Sequence, residues 1–163
     1  MNLIAAVDQN WGIGNRGELL VHIPDDMKFF RRATTGKVVV MRRKTLESFP
    51  GGILKDRVNI VLTHDVNYHA GGALAVHSIG QLHEELAGYD TKDIFVIGGG
   101  SVYQQLLDEC NTAYITKIDF AYCADTYFPN LDERAGWMIT QKSEEQTYFD
   151  LAYHYYIYQR RRG

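Results

Sequence analysis

Four stretches of this chain carry groups suited to holding an anion or moving a proton. The run Ile94-Phe95-Val96-Ile97 reads as a strand buried on both faces, and it stops on Gly98-Gly99-Gly100, with Ser101, Val102 and Tyr103 opening a helix pattern. Glycine lets a flat ligand approach the backbone, and the free N–H groups at a helix start converge on negative charge. A tight strand-to-helix turn would use the same glycines, and Tyr103 stands where a dinucleotide fingerprint would place its third glycine. Arg42-Arg43-Lys44-Thr45 sits at the end of another strand. Three cations at a helix start oppose the dipole and repel one another, objections that a polyanionic ligand removes and an exposed basic turn does not. Thr63-His64-Asp65 ends a third strand and is ambiguous: the acid suits a ribose diol, whereas Thr63 and His64 suit a phosphate on it.

The proton-handling candidate is Asp26, in Ile23-Pro24-Asp25-Asp26-Met27-Lys28-Phe29-Phe30. Pro24 suits the first turn of a helix, and Asp25 alone would satisfy its dipole. Asp26 lies about 100° further round, with Met27, Phe29 and Phe30 supplying apolar surface. Burial there would raise its pKa toward neutrality, whereas two solvated first-turn acids are the plainer alternative.

Strands are expected near 2–7, 37–41, 57–63, 73–76, 93–97, 112–119, 136–142 and 148–159, and helices near 25–34, 43–48, 79–87 and 100–108. Strands alternating with short helices imply right-handed crossovers and a mainly parallel sheet covered on both faces. The last two strands lack an intervening helix and are expected to form an antiparallel hairpin at one edge. The segment 8–22, with Gly12, Gly14 and Gly17, reads as a polar loop that is disordered or a mobile lid closing through Trp11, Ile13, Leu19 and Leu20.

The chain has 163 residues, enough for one domain over 1–163 with a sizeable core. A net charge of -3 gives no global basic field, so nucleic acid and acidic membranes are poor partners, and any anion must meet a local cluster. Cys110 and Cys123 have no metal-ligand spacing and read as packing residues in a reducing cytoplasm. His83-Glu84-Glu85 lacks a second histidine four residues on, so no metal site is expected. The tail Gln159-Arg160-Arg161-Arg162-Gly163 reads as a solvated terminal cluster.

Taken together, Leu3-Ile4-Ala5-Ala6, Ile13-Gly14, Ile23-Pro24-Asp25-Asp26, Arg43-Lys44-Thr45-Leu46-Glu47-Ser48-Phe49-Pro50, Arg57, Asn59-Ile60-Val61-Leu62-Thr63, the stretch 97–103 and Asp125-Thr126-Tyr127-Phe128-Pro129 resemble bacterial dihydrofolate reductases, in order and at that family's spacing. The resemblance implies an α/β fold with an eight-stranded, mainly parallel sheet, an antiparallel C-terminal hairpin and four flanking helices. It implies a cytoplasmic monomer that reduces 7,8-dihydrofolate with NADPH and takes antifolate-type molecules in the same slot.

By position Asp26 would be the active-site carboxylate, with Thr116 behind it. Ile4, Ala5, Ala6, Met27, Phe30, Phe49, Leu54 and Ile97 would line the folate slot, and Arg57 would pair with the glutamate α-carboxylate. The nicotinamide would lie against Ala6, Ile13, Gly14 and Tyr103, under the lid. Thr45 and the Gly98-Gly99-Gly100-Ser101 turn would hold the pyrophosphate, and Ile97 and Val102 would also belong to the cofactor site. Arg43, Thr63 and His64 would surround the 2′-phosphate, with Arg42, Lys44 and Leu62 beside them.

Three positions depart from the family pattern. Leu20-Val21 replaces a proline and tryptophan, Ile53 replaces a proline, and Arg42 replaces a glycine. A positive φ at Arg42 would strain the backbone, and restoring glycine would then tighten NADPH and raise the melting temperature. A reductase of another heterocycle, such as the pyrimidine reductase of riboflavin synthesis, lacks a use for Asp26 and Arg57. A protein that binds folate without turnover would show no affinity for the cofactor.

Overall fold

The computed structural model describes residues 1–161. Its strands are β1 (Asn2–Val7), β2 (Gly12–Asn15), β3 (Glu18–Leu19), β4 (Val38–Arg42), β5 (Val58–Leu62), β6 (Ala73–Val76), β7 (Ile94–Gly98), β8 (Thr112–Ile118), β9 (Thr126–Tyr127), β10 (Trp137–Lys142), β11 (Gln146–Tyr148) and β12 (Leu151–Arg160). Its helices are α1 (Pro24–Thr34), α2 (Arg43–Ser48), α3 (Ile79–Leu86) and α4 (Gly100–Leu106), with single 3-10 turns at Thr91–Asp93, Leu107–Glu109 and Leu131–Glu133.

The main sheet runs β10-β12-β8-β1-β7-β4-β5-β6, with the short β11 paired to β12. From β8 to β6 all neighbours are parallel, and β12 runs antiparallel to both β8 and β10. The last two expected strands are thus β10 and β12, which pair antiparallel at one edge of the sheet as expected, and the additional short strand β11 forms a hairpin with β12.

Side-chain alternation sorts the sheet into two layers. Leu3, Val38, Val40, Ile60, Val96, Ala113 and Ile115 face α3 and α4, where Leu82, Leu86, Val102 and Leu106 complete the core. Ile4, Val39, Met41, Val61, Phe95 and Ile97 face the other way, against Phe29, Phe30 and Ala33 of α1 and Leu46 of α2. These valines and isoleucines are buried on both faces of the sheet because helices cover both sides.

The segment 8–22 is neither disordered nor a plain loop. β2 and β3 form a hairpin whose two turn residues, Arg16 (φ 52) and Gly17 (φ 80), both take the left-handed region, as a type I′ turn requires. With β9 the hairpin makes a second, three-stranded sheet. Asp8 anchors its base: Oδ1 accepts from the N–H groups of Asn10 (2.9 Å) and Gly12 (2.8 Å), and Oδ2 from that of Tyr122 (2.9 Å). Trp11 is an anchor rather than a closing side chain, since it is buried against Phe128 and Tyr158 with the Lys117 ammonium over its ring.

The basic tail is not wholly solvated, because Arg160 donates to the carbonyls of Leu107 and Asp108 and so caps the end of the α4 segment. Arg162 and Gly163 lie outside the described residues. Of the two cysteines, Cys110 packs in the core, where burial pushes its thiol up to about 12, whereas Cys123 is exposed.

Candidate functional site

Asp26 owes its environment to one turn of α1 and two strands. Pro24 at the first turn and no side-chain cap at Ile23 leave the helix start open, and the Asp26 carboxylate turns onto the sheet while Asp25 stays in solvent near Lys28 (4.0 Å). Thr116 on β8 donates its hydroxyl to Asp26 Oδ1 at 2.6 Å, within the range of a charge-assisted bond. Thr116 itself is buried and faces Ala6 on β1 and Tyr155 on β12 in the strand register.

Burial raises the Asp26 pKa above the ordinary 3.8, and the Thr116 hydrogen bond pulls against it without reversing the direction. Tyr155 is a neighbour that the sequence pattern did not single out. Its ring lies 4.8 Å from that of Phe29, and burial, then the Asp26 charge, push its hydroxyl pKa up. The signal that could have found it is the alternation Tyr153, Tyr155, Ile157 on the last strand, which places Tyr155 on the face of α1.

The apolar slot forms much as expected. Ile4, Phe30, Phe49, Leu54 and Ile97 belong to one cluster on the α1 side of the sheet, and Ala6 continues that face beside Thr116. Two expected members do not join it. Met27 is 44% exposed and outside the cluster, so the surface screening Asp26 is aromatic, from Phe29 and Tyr155. Ala5 points into the α3/α4 layer by strand alternation, so only its backbone can meet a ligand in the slot.

At the far end of α1, Arg57 donates to the Thr34 hydroxyl (3.1 Å) and to the Lys55 carbonyl (2.9 Å). Burial and then the neighbouring Arg31 lower its pKa, so two cations share this end of the slot.

The glycine turn and the basic turn, read separately in the sequence, are one place in the fold because β4 and β7 are neighbours. Gly98 has φ +132, a region where side chains are disfavoured, and a Cβ there would sit 3.5 Å from both the Thr45 hydroxyl and the Tyr103 hydroxyl. A Cβ on Gly99 would lie 3.6 Å from Thr45 as well, so side chains here would fill the space between the two turns.

Gly100 serves a different purpose. Its Cβ would meet Thr126 Cγ2 at 2.9 Å and the Tyr127 carbonyl at 3.1 Å, so it is glycine to let β9 pass. Tyr103 is buried and bonds the Ile4 carbonyl at 2.7 Å, which joins the turn to the slot but engages its hydroxyl. Val102 is buried in the opposite core layer and leaves only backbone for a ligand, whereas Ser101 is exposed.

Arg42 extends β4 with φ -77 and is exposed, so the expected backbone strain does not exist. Lys44 is exposed beside it. Arg43 is not a free cation: Nη1 lies 3.6 Å from Asp65 and Nε 3.6 Å from Glu47. Thr63 accepts from the Asp65 N–H at 3.2 Å, His64 is exposed, and Leu62 packs against the α3/α4 layer. Ile13 packs on that layer too, and Gly14 lets the β2–β3 hairpin close, since a Cβ would lie 2.9 Å from the Glu18 carbonyl.

Two cavities lie elsewhere, about 630 Å³ near Arg16, Leu20 and Cys123 and about 450 Å³ around Asn2, Lys92 and Gln159. Neither touches Asp26 or the glycine turn.

Open parallel sheets take ligands outside the carboxyl ends of their strands, and Ala6, Arg42, Leu62, Gly98 and Thr116 all stand at or near such ends. The molecule is thus an α/β protein with its candidate site at the carboxyl edge of the sheet. The family model "Dihydrofolate reductase" matches residues 1–161. A dihydrofolate reductase of Buchnera aphidicola is 36% identical over 142 residues, covering 87% of this chain and 85% of the relative. The enzyme HdrB of Haloferax volcanii, also a dihydrofolate reductase, is 36% identical over 160 residues, covering 93% and 81%. The structure of dihydrofolate reductase from Enterococcus faecalis complexed with NADP(H) and RAB-propyl superposes with a TM-score of 0.87 at 31% identity, covering 98% of this chain and 95% of that one. The chain belongs to the dihydrofolate reductase family.

Proposed function

We propose that this chain, as a single domain, reduces 7,8-dihydrofolate to 5,6,7,8-tetrahydrofolate with NADPH and so supplies one-carbon metabolism. The observation that carries the reading is the Thr116-bonded, partly buried Asp26 at the mouth of an apolar slot, with Arg57 and Arg31 at its other end. A flat heterocycle with a hydrogen-bonding edge suits the first end, and a carboxylate-bearing tail suits the second. Antifolate-type molecules of the same shape would compete for it.

The Gly98-Gly99 turn facing Thr45 fits a pyrophosphate, because it is a cradle that a Cβ on either glycine would narrow. NADPH, when bound, supplies the hydride. Asp26 accepts hydrogen bonds from the pterin edge and, with its raised pKa, favours the proton on the ring nitrogen beside the accepting carbon. Thr116 fixes which Asp26 oxygen is free. Tyr103, tied to Ile4, positions the backbone between slot and turn, and Ile97 and Ala6 close the space between the two ligands. Arg43, Thr63 and His64 select the 2′-phosphate.

The test is the fall in NADPH absorbance on adding dihydrofolate to the purified protein. A protein that binds folate in a fluorescence titration yet neither binds NADPH nor oxidises it would refute the assignment.

A further inference from the structure

The cation assigned to the 2′-phosphate is already held. Arg43 starts α2, and three groups close on its guanidinium: Glu47 one turn along the helix (Nε to Oε1, 3.6 Å), Asp65 beyond the end of β5 (Nη1 to Oδ2, 3.6 Å), and the Tyr68 ring (5.8 Å to its centroid).

The Asp65 side of this grip is fixed rather than casual. Its Oδ1 accepts from the Asn67 N–H at 3.0 Å, its own N–H donates to Thr63 Oγ1 at 3.2 Å, and its carbonyl accepts from the Tyr68 N–H at 3.1 Å. One tight turn thus aims the remaining carboxylate oxygen, and the aromatic ring, at Arg43. Two carboxylates around one guanidinium give these three side chains a net charge of -1.

We propose that Asp65 is a specificity-determining residue, an internal competitor that occupies Arg43 and so weakens this chain's preference for a nucleotide carrying a 2′-phosphate. The proposal rests on the cofactor reading above, and concerns how strongly that reading is expressed. A phosphate arriving at the 2′ position must displace Asp65 from Arg43 and then sit beside its charge. Because both partners are partly exposed, the effect is modest and screened by salt.

The test is calorimetric titration of the whole chain with adenosine 2′,5′-bisphosphate and with adenosine 5′-monophosphate. Asp65→Asn keeps the acceptor for Asn67 and loses the charge, and its melting temperature reports that the turn survives. It should tighten the bisphosphate roughly two- to fivefold while moving the monophosphate much less. In an Arg43→Gln background the same change should give clearly less gain, because the contested cation is gone. A wild type that prefers the bisphosphate, with Asp65→Asn unchanged or with an equal gain in both backgrounds, overturns the role of Asp65 and leaves the cofactor reading standing. A wild type and an Asp65→Asn variant that both bind the two nucleotides alike overturn the cofactor reading, and the role of Asp65 with it.

Discussion

Replacing Asp26 by asparagine separates its charge from its hydrogen bond, because the amide oxygen can still accept from Thr116. The raised pKa means that the folded protein holds this proton more tightly than the unfolded chain does. Stability from the group is therefore fully present below its unfolded value, near 3.8, and is lost as pH rises through the folded value. Asp26→Asn has no such loss. The stability difference between variant and wild type should sit at a constant offset below pH 3.8, then turn in favour of the variant with a slope of up to about 1.4 kcal/mol per pH unit. It should flatten once pH passes the folded pKa.

Urea unfolding of both proteins across the acid and neutral range measures this directly, and every other carboxylate cancels in the subtraction. The break where the difference levels off reads the folded pKa without any ligand. A flat difference would mean that burial does not perturb this acid, and an opposite slope would mean that the Thr116 bond outweighs desolvation. In the same variant, reduction of dihydrofolate at neutral pH should fall by about 10²- to 10⁴-fold, the usual range for a positioned proton-handling group. Wild-type turnover would show that another acid does the work.

Arg57→Lys should raise KM for dihydrofolate with little change in kcat, and the effect should vanish for a pteridine lacking the glutamate tail; an equal effect on both substrates would place Arg57 elsewhere. Arg42→Gly should leave the melting temperature unchanged or lower it slightly, because φ -77 holds no strain to relieve and glycine adds unfolded-state entropy of about 0.5–1 kcal/mol. A clear rise in melting temperature would contradict this. Gly100→Ala should destabilise by about 1–3 kcal/mol in chemical unfolding, since its Cβ would press on Thr126 and the Tyr127 carbonyl; unchanged stability would show that β9 yields freely.

The long elements were legible because each is either an apolar run of strand length or a helical repeat with an apolar stripe. β2, β3, β9 and β11 were not. They are two to four residues long; β2, β3 and β9 form a small sheet at whose base Asp8 gathers three backbone N–H groups and Trp11 is buried, and β11 is set by its antiparallel pairing with β12. Nothing local in Gly12 or Gly14 announces a strand. Thr116 shows a similar limit. It is a polar position on a strand otherwise facing two cores, and its partner Asp26 lies 90 residues away, so only the family resemblance brought the two together. The glycine triplet is split in the fold: Gly98 and Gly99 face Thr45, whereas Gly100 packs closely against β9, which no pattern around residue 100 records.

What the sequence could not state is that α1 sets the length of the slot. Asp26 and Thr34 are eight residues apart on this helix, a rise of about 12 Å, and each is tied to a different part of the sheet layer. Asp26 is held by Thr116, and Thr34, which is wholly buried, donates to the Phe30 carbonyl at 2.9 Å while accepting from Arg57 at 3.1 Å. The distance between the Asp26 end and the cationic end is thus a helix rise, not a loop conformation. Phe30, on the same helix, lines the interval between the two, with Leu54 held by the Asn59 amide through its N–H (2.9 Å) and its carbonyl (2.8 Å). A ligand that spans both ends must therefore match a spacing fixed by backbone hydrogen bonds. The β2–β3 hairpin and the Asp65 turn belong to other elements, so changes in them leave the spacing between Asp26 and Arg57 as it is.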